Sequence, residues 1–234
     1  MPRPTQDNLA SLLQIRNATA ETAELYFYGD IVSSWWGAWD DTDQYPEAVK
    51  RFLDGAKGKN LNIYINSGGG SVFAGMAIYN MLKRHTGMKT VRVDGLAASI
   101  ASVIALAGDR LIIPGNAYFM IHKPLIGDIT GNASELRKLA DTLDTIEEGI
   151  LNVYSQHLAP GVSMDAIRQM VEAESWLTGE AAAQYFSMEI TAHLKAVAYA
   201  GALDYSKIPQ GISVKSLDAY NARLNLLKLR GEER

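Results

Sequence analysis

The chain has no cysteine among its 234 residues. That absence excludes disulfides, thiol nucleophiles and thiolate metal sites together, and it fits a reducing compartment. Long apolar runs are missing too. The most continuous one, Ala97–Gly108, is too short to cross a bilayer and is broken by Ser99 and Ser102. Met1–Asn17 has neither the basic start nor the apolar stretch of a signal peptide. A soluble, cytoplasmic protein without a membrane partner is expected. An excess of one charge is also lacking: the formal net charge is −4, which gives no electrostatic basis for binding nucleic acid.

What is present is core-forming material. Hydrophobic residues make up 47% of the chain, enough for one domain of ordinary size. The expected layout is an N-terminal arm over 1–23, a main domain over 24–203 and a helical C-terminal extension over 204–234. In that extension Val214, Leu217, Tyr220, Leu224 and Leu227 fall at helical spacing. No internal repeat or low-complexity segment is visible.

The main domain alternates. Glu24–Gly29 reads as a strand, and Trp35, Trp36 and Trp39 follow, read as packing into a core or an interface. Pro46–Leu53 suits a short helix with proline in its first turn. Leu61–Asn66 predicts a strand, Val72–His85 a helix, Thr90–Asp94 a strand, and the segment after Ser99 a helix to about Gly108. Arg110–Ile113 and Tyr118–Ile121 are further strands. This order implies an α/β fold with parallel strands and helical crossovers, whose sites form at strand carboxyl ends. A long helix is expected over Ala133–His157. Its apolar positions Leu136, Leu139, Leu143, Ile146, Ile150 and Val153 step by 3 and 4, which suits packing on its own domain or on another subunit equally. Ser163 reads as the cap of a helix through Val171, Thr178–Ala181 as another helix start, and Glu189–Val197 as a closing strand.

Three segments carry chemistry. Gly95–Leu96–Ala97–Ala98–Ser99 places a hydroxyl on a strand-to-helix turn among small residues. His122 closes an apolar strand and precedes Lys123–Pro124. Acyl transfer needs such a hydroxyl with a base in reach. Asn66–Ser67–Gly68–Gly69–Gly70–Ser71 follows another strand and offers backbone donors to an oxyanion. It lacks the Gly-Lys-Ser/Thr ending and the Gly-x-Gly-x-x-Gly spacing of nucleotide loops, and neither cofactor nor metal is expected. Ser102, one helical turn beyond Ser99, reads as structural. Of the other histidines, His85 and His157 sit near helix ends, where an exposed role is the commoner one, and His193 lies far from any serine-bearing turn. The acid that orients the imidazole is left open among Asp94, Asp165, Glu172 and Glu174.

Four ordered blocks, Ile65–Ser71, Ala74–Tyr79, Gly95–Ser99 and Met120–Pro124, resemble the Clp protease proteolytic subunit family over about residues 24–198. With the tryptophan-rich early segment and Glu174–Ser175–Trp176–Leu177–Thr178, the chain looks most like the ClpP-related head-maturation (prohead) proteases of tailed phages. The resemblance implies a ClpP/crotonase-like fold of repeated β-β-α and βαβ units with a projecting handle helix over about 133–157. It implies a serine endopeptidase in which Ser99 is the nucleophile, His122 the base and Glu174 the acid, where the family usually has Asp. Gly70 and Ile100 match the oxyanion donors, and Gly68 stands where proline is common. The implied partners are a polypeptide substrate such as capsid or scaffold protein, a homo-oligomeric ring (heptamer or tetradecamer) and a Clp-type ATPase, the last left undecided. Two other readings remain: a catalytically inactive assembly protein on this fold, and an acyl-CoA hydratase or isomerase of the crotonase type.

Overall fold

A computed structural model describes residues 19, 21–38, 40, 42–127 and 129–191. Most of the expected N-terminal arm, Trp39, His193, and the whole 204–234 extension with its helical pattern lie outside the described residues.

The strands are β1 (Thr22–Phe27), β2 (Asn60–Ser67), β3 (Lys89–Ala98), β4 (Arg110–Pro114), β5 (Tyr118–Ile121), β6 (Ser175–Thr178) and β7 (Glu189–Thr191). The helices are α1 (Pro46–Gly55), α2 (Val72–Arg84), α3 (Ile100–Ala105), α4 (Ala133–Ser155), α5 (Met164–Glu172) and α6 (Gly179–Tyr185). Among the described residues one sheet runs β1-β2-β3-β4-β7, all parallel, and β5 pairs with β3 and β6. The α/β expectation holds, and none of the described helices is long and apolar enough to cross a membrane.

β3 is the shared spine. Its first half pairs with β4 through Thr90↔Arg110 to Arg92↔Ile112, and its second half pairs with β5 through Leu96↔Tyr118 to Ala98↔Met120. The sequence reading ended this strand at Asp94. Hydrogen bonding to β5 instead carries it through Gly95 to Ala98. β6, which lies antiparallel on β5, was not foreseen: four residues are too few to show a period.

Local chemistry starts the helices where expected. The Ser71, Ser163 and Thr178 hydroxyls accept from the amides of Ala74, Ala166 and Ala181. Asn132 opens α4 with a capping box, its side chain accepting from Glu135 N while Glu135 accepts from Asn132 N. Each such cap contributes about 1 kcal/mol. Only Ile150, Leu151, Val153 and Tyr154 of α4 are buried. Leu136, at the head of its apolar seam, is 44% exposed. The seam therefore packs on its own domain only in its last turns.

The core gathers β2, β3 and β5 residues such as Ile63, Ile65, Val91 and Phe119 with all of α3. Phe186 joins it, with ring centroids 5.3 Å from Phe119 and 5.5 Å from Tyr154. Trp35 and Trp36 are not part of it. Trp35 is 45% and Trp36 63% exposed, and the two rings lie against each other at 3.9 Å. The acidic residues that follow them close a polar turn in which the Asp43 carboxylate accepts from the amides of Asp30 and Asp40. Such a turn does not drive indoles inward.

Candidate active site

The parallel register of β3 and β5 brings the serine and the histidine together. Ala98 lies opposite Met120, and the Ser99 amide donates to the Met120 carbonyl at 2.9 Å. His122 is the first residue beyond β5, not the last within it, and two positions past Met120. Its Nε2 lies 2.7 Å from Ser99 Oγ. With that nitrogen unprotonated the hydroxyl donates to it, which is the arrangement a general base needs.

Ser99 sits at φ 54, ψ −129. A non-glycine residue held at positive φ stores about 1–3 kcal/mol. The turn between β3 and α3 imposes this conformation and lifts the hydroxyl clear of the buried helix behind it. Strained strand-to-helix turns do the same for other hydrolytic nucleophiles.

The glycine loop closes over the serine. Ser67 Oγ donates to the Gly29 carbonyl at 2.7 Å and accepts from the Gly69 amide at 3.2 Å. The Ile31 amide donates to Gly69 O at 2.8 Å, and the Ser71 amide donates to Ile31 O at 2.7 Å. Between these bonds Gly69 and Gly70 take φ values of 99 and 139. A β-carbon on Gly69 would lie 2.7 Å from Ser99 Cβ, and one on Gly70 would lie 2.2 Å from Ile31 O. Only glycine fits either place. Among the described residues nothing accepts from the Gly70 amide. Val72, Ile100, Val103, Ile150 and Tyr154 line an apolar pocket beside Ser99 and His122.

The four candidate acids separate clearly. Asp94 accepts from the Tyr28 hydroxyl, and burial pushes its carboxyl above the usual range. Glu172 pairs with Lys123, which also lies 3.6 Å from Glu147. Asp165 stands in the first turn of α5. Glu174 is exposed in the turn between α5 and β6, at φ 49. Because β6 pairs antiparallel with β5 through Ser175↔Ile121, one more step of that register sets Glu174 across from His122. The paired register itself ends at Ser175↔Ile121, and among the described residues the Glu174 carboxylate joins no hydrogen bond or ion pair.

The other described histidines are not exposed as expected. His85 Nε2 meets the Lys59 carbonyl at 2.7 Å. His157 is half-buried against the Tyr79 hydroxyl at 3.4 Å, and burial, with Lys83 nearby, pushes its pKa below the ordinary histidine value. Sequence reasoning also missed Gly69 as the glycine against Ser99, the Ile31 strap and Tyr154. The i, i+4 spacing of Ile150 and Tyr154 marked a buried face of α4 but gave no sign of which residue reached the site.

The family model for Clp protease matches residues 50–186. The chain belongs to the Clp protease family. It is 35% identical over 132 residues to the ATP-dependent Clp protease proteolytic subunit 1 of Protochlamydia amoebophila, covering 55% of this chain and 63% of that relative. To the ATP-dependent Clp protease proteolytic subunit of Bacteroides fragilis it is 32% identical over 150 residues, covering 62% of this chain and 70% of the relative. The corresponding subunit of Porphyromonas gingivalis is 33% identical over 151 residues, with 62% and 66% covered. The chain thus spans a little under two thirds of some of these relatives. The residues of this family member's candidate site from the glycine loop to Glu174 fall inside the matched segment, and the Ile31 strap lies before it.

Proposed function

We propose that the chain is a serine endopeptidase in which Ser99 attacks a peptide carbonyl, His122 takes and returns the proton, and Glu174 orients the imidazole and stabilises its cationic form. The amides of Gly70 and Ile100 receive the oxyanion. The observation that carries this reading is the 2.7 Å contact between His122 Nε2 and the strained Ser99 hydroxyl. A nucleophile, a base beside it and a glycine loop against the nucleophile are the parts acyl transfer requires.

The substrate in this reading is a polypeptide, and the working form is a homo-oligomeric ring, heptamer or tetradecamer. The exposed seam of α4 supports a subunit contact, since Leu136 leaves an apolar surface that the described residues do not cover. The role proposed for it is cleavage of capsid or scaffold protein during phage head maturation, which rests on the resemblance of the sequence blocks.

One observation favours the inactive assembly protein as a second reading: among the described residues the Glu174 carboxylate joins no hydrogen bond or ion pair, although it directly precedes the strand paired with β5. The deciding experiment labels the assembled chain with a fluorophosphonate probe and offers it unfolded casein. Labelling and cleavage that both vanish in Ser99→Ala, with the oligomer intact, support the peptidase. Undiminished labelling of Ser99→Ala removes Ser99 from the mechanism, and an assembled wild type that neither labels nor cleaves supports the second reading.

A further inference from the structure

One buried polar chain behind Ser99 takes no part in the mechanism above. Ser102 is fully buried, and its hydroxyl donates to the Ser99 carbonyl at 2.5 Å. The Ser102 amide donates to the same carbonyl at 3.0 Å. Behind it stands Tyr154 of α4, 1% exposed, with its hydroxyl 2.8 Å from Ser102 Oγ. The direction of this chain follows from its protons. A serine hydroxyl has one, and here it goes to Ser99 O, so Tyr154 must donate to Ser102 Oγ. Burial raises the Tyr154 phenol above its ordinary pKa and keeps that proton in place.

The acceptor gives the chain its meaning. Ser99 C=O and Ile100 N–H are two ends of one planar peptide group. Gripping the carbonyl fixes the direction in which the amide points. Drawing charge toward the carbonyl oxygen also makes the amide a stronger donor, because linked hydrogen bonds polarise one another. A serine bonding back to a carbonyl three residues earlier is ordinary within a helix. Two features go further: the carbonyl belongs to the nucleophile, and the second donor comes from a different element of the fold.

We propose that Ser102 and Tyr154 are positioning residues for the oxyanion site, holding and polarising the Ser99–Ile100 peptide so that the Ile100 amide is aimed before substrate arrives. This rests on the reading of the Ile100 amide as an oxyanion donor. It also accounts for how a peptide leaving a residue at φ 54 is kept from relaxing.

The test uses the full assembled chain and a fluorogenic peptide. Tyr154→Phe should lower kcat about tenfold with KM unchanged, short of the hundredfold or more lost when an oxyanion donor is removed outright. It should weaken inhibition by a peptide boronate by the same factor, since the tetrahedral boronate places an oxygen where the intermediate does. Ser102→Ala should be at least as slow, Ser102→Thr should retain most of kcat, and the double variant should be no slower than Ser102→Ala, because Tyr154 acts only through Ser102. Wild-type kcat in Tyr154→Phe, a loss carried by KM alone, or effects that multiply in the double variant would each overturn the proposal. If Ser102→Ala does not fold, the Tyr154→Phe kcat and boronate comparison still decides. Turnover that survives in Ser99→Ala sinks the peptidase reading itself. An inactive Ser99→Ala beside a fully active Tyr154→Phe sinks only the positioning role.

Discussion

Gly69 and Ser99 press together so closely that a β-carbon on the glycine would stand 2.7 Å from that of the serine and 2.8 Å from the Ala98 carbonyl. Gly69→Ala must therefore move the nucleophile or the loop, from a φ of 99 that alanine also resists. A displacement costing about 1–3 kcal/mol corresponds to about a 5- to 150-fold loss in the rate of probe labelling. Gly68→Ala is the control: a β-carbon there meets nothing within 4 Å, and labelling should stay near wild type.

The strain at Ser99 is separable from its chemistry. Ser99→Ala and Ser99→Gly should both be inactive, but glycine accepts φ 54 and alanine does not. Ser99→Gly should melt above Ser99→Ala by about 2–4 °C for each kcal/mol of strain released. Equal melting temperatures in scanning calorimetry would show that the turn holds no strain.

Glu174 carries the same signature at φ 49, at the end of α5 where glycine is the usual residue. Glu174→Gly should leave thermal stability unchanged or raised while lowering kcat by about 100-fold or more, the scale of losing the residue that orients a catalytic imidazole. Glu174→Asp should retain more activity than Glu174→Gly. A Glu174→Gly variant at full kcat would assign the acid's role elsewhere.

Stability should fall in mild acid through His157. Burial holds its folded pKa below the unfolded value of 6.5, with Lys83 adding to the effect. Between the two values the native state binds fewer protons than the unfolded chain, so stability rises with pH. The contribution is complete above about 6.5 and is lost as pH falls toward the folded value. The difference in melting temperature between pH 7.5 and pH 5 should be smaller in His157→Gln than in the wild type.

Much of this architecture was legible in the residues. Strand periods, the Pro46 start, the Ser163 cap and the helix start at Thr178 all act within a few residues, so a local reading finds them. The Ser99 and His122 segments stood out because a serine among small residues on a strand-to-helix turn and a histidine closing an apolar strand have few sequence solutions. What escaped depends on registers between distant segments. β6 is defined by its partner β5, and the last half of β3 exists as strand only because Tyr118–Met120 lies beside it. For Trp35 and Trp36 the core half of the core-or-interface expectation gave way for another reason: hydrophobicity says what an indole prefers, while the polar turn around Asp43 decides where the backbone can carry it.

The short helix that begins after Ser99 has no wet side: every residue from Ile100 to Ala105 is enclosed. The reactive hydroxyl is thus mounted on the end of a plug driven into the middle of the molecule. Enlarging or hollowing any of those interior positions would tilt the plug and misplace the hydroxyl well before the chain came apart. Loss of turnover without loss of folding would then map to the inside of this protein, and the surface around the cleft would be the more forgiving part.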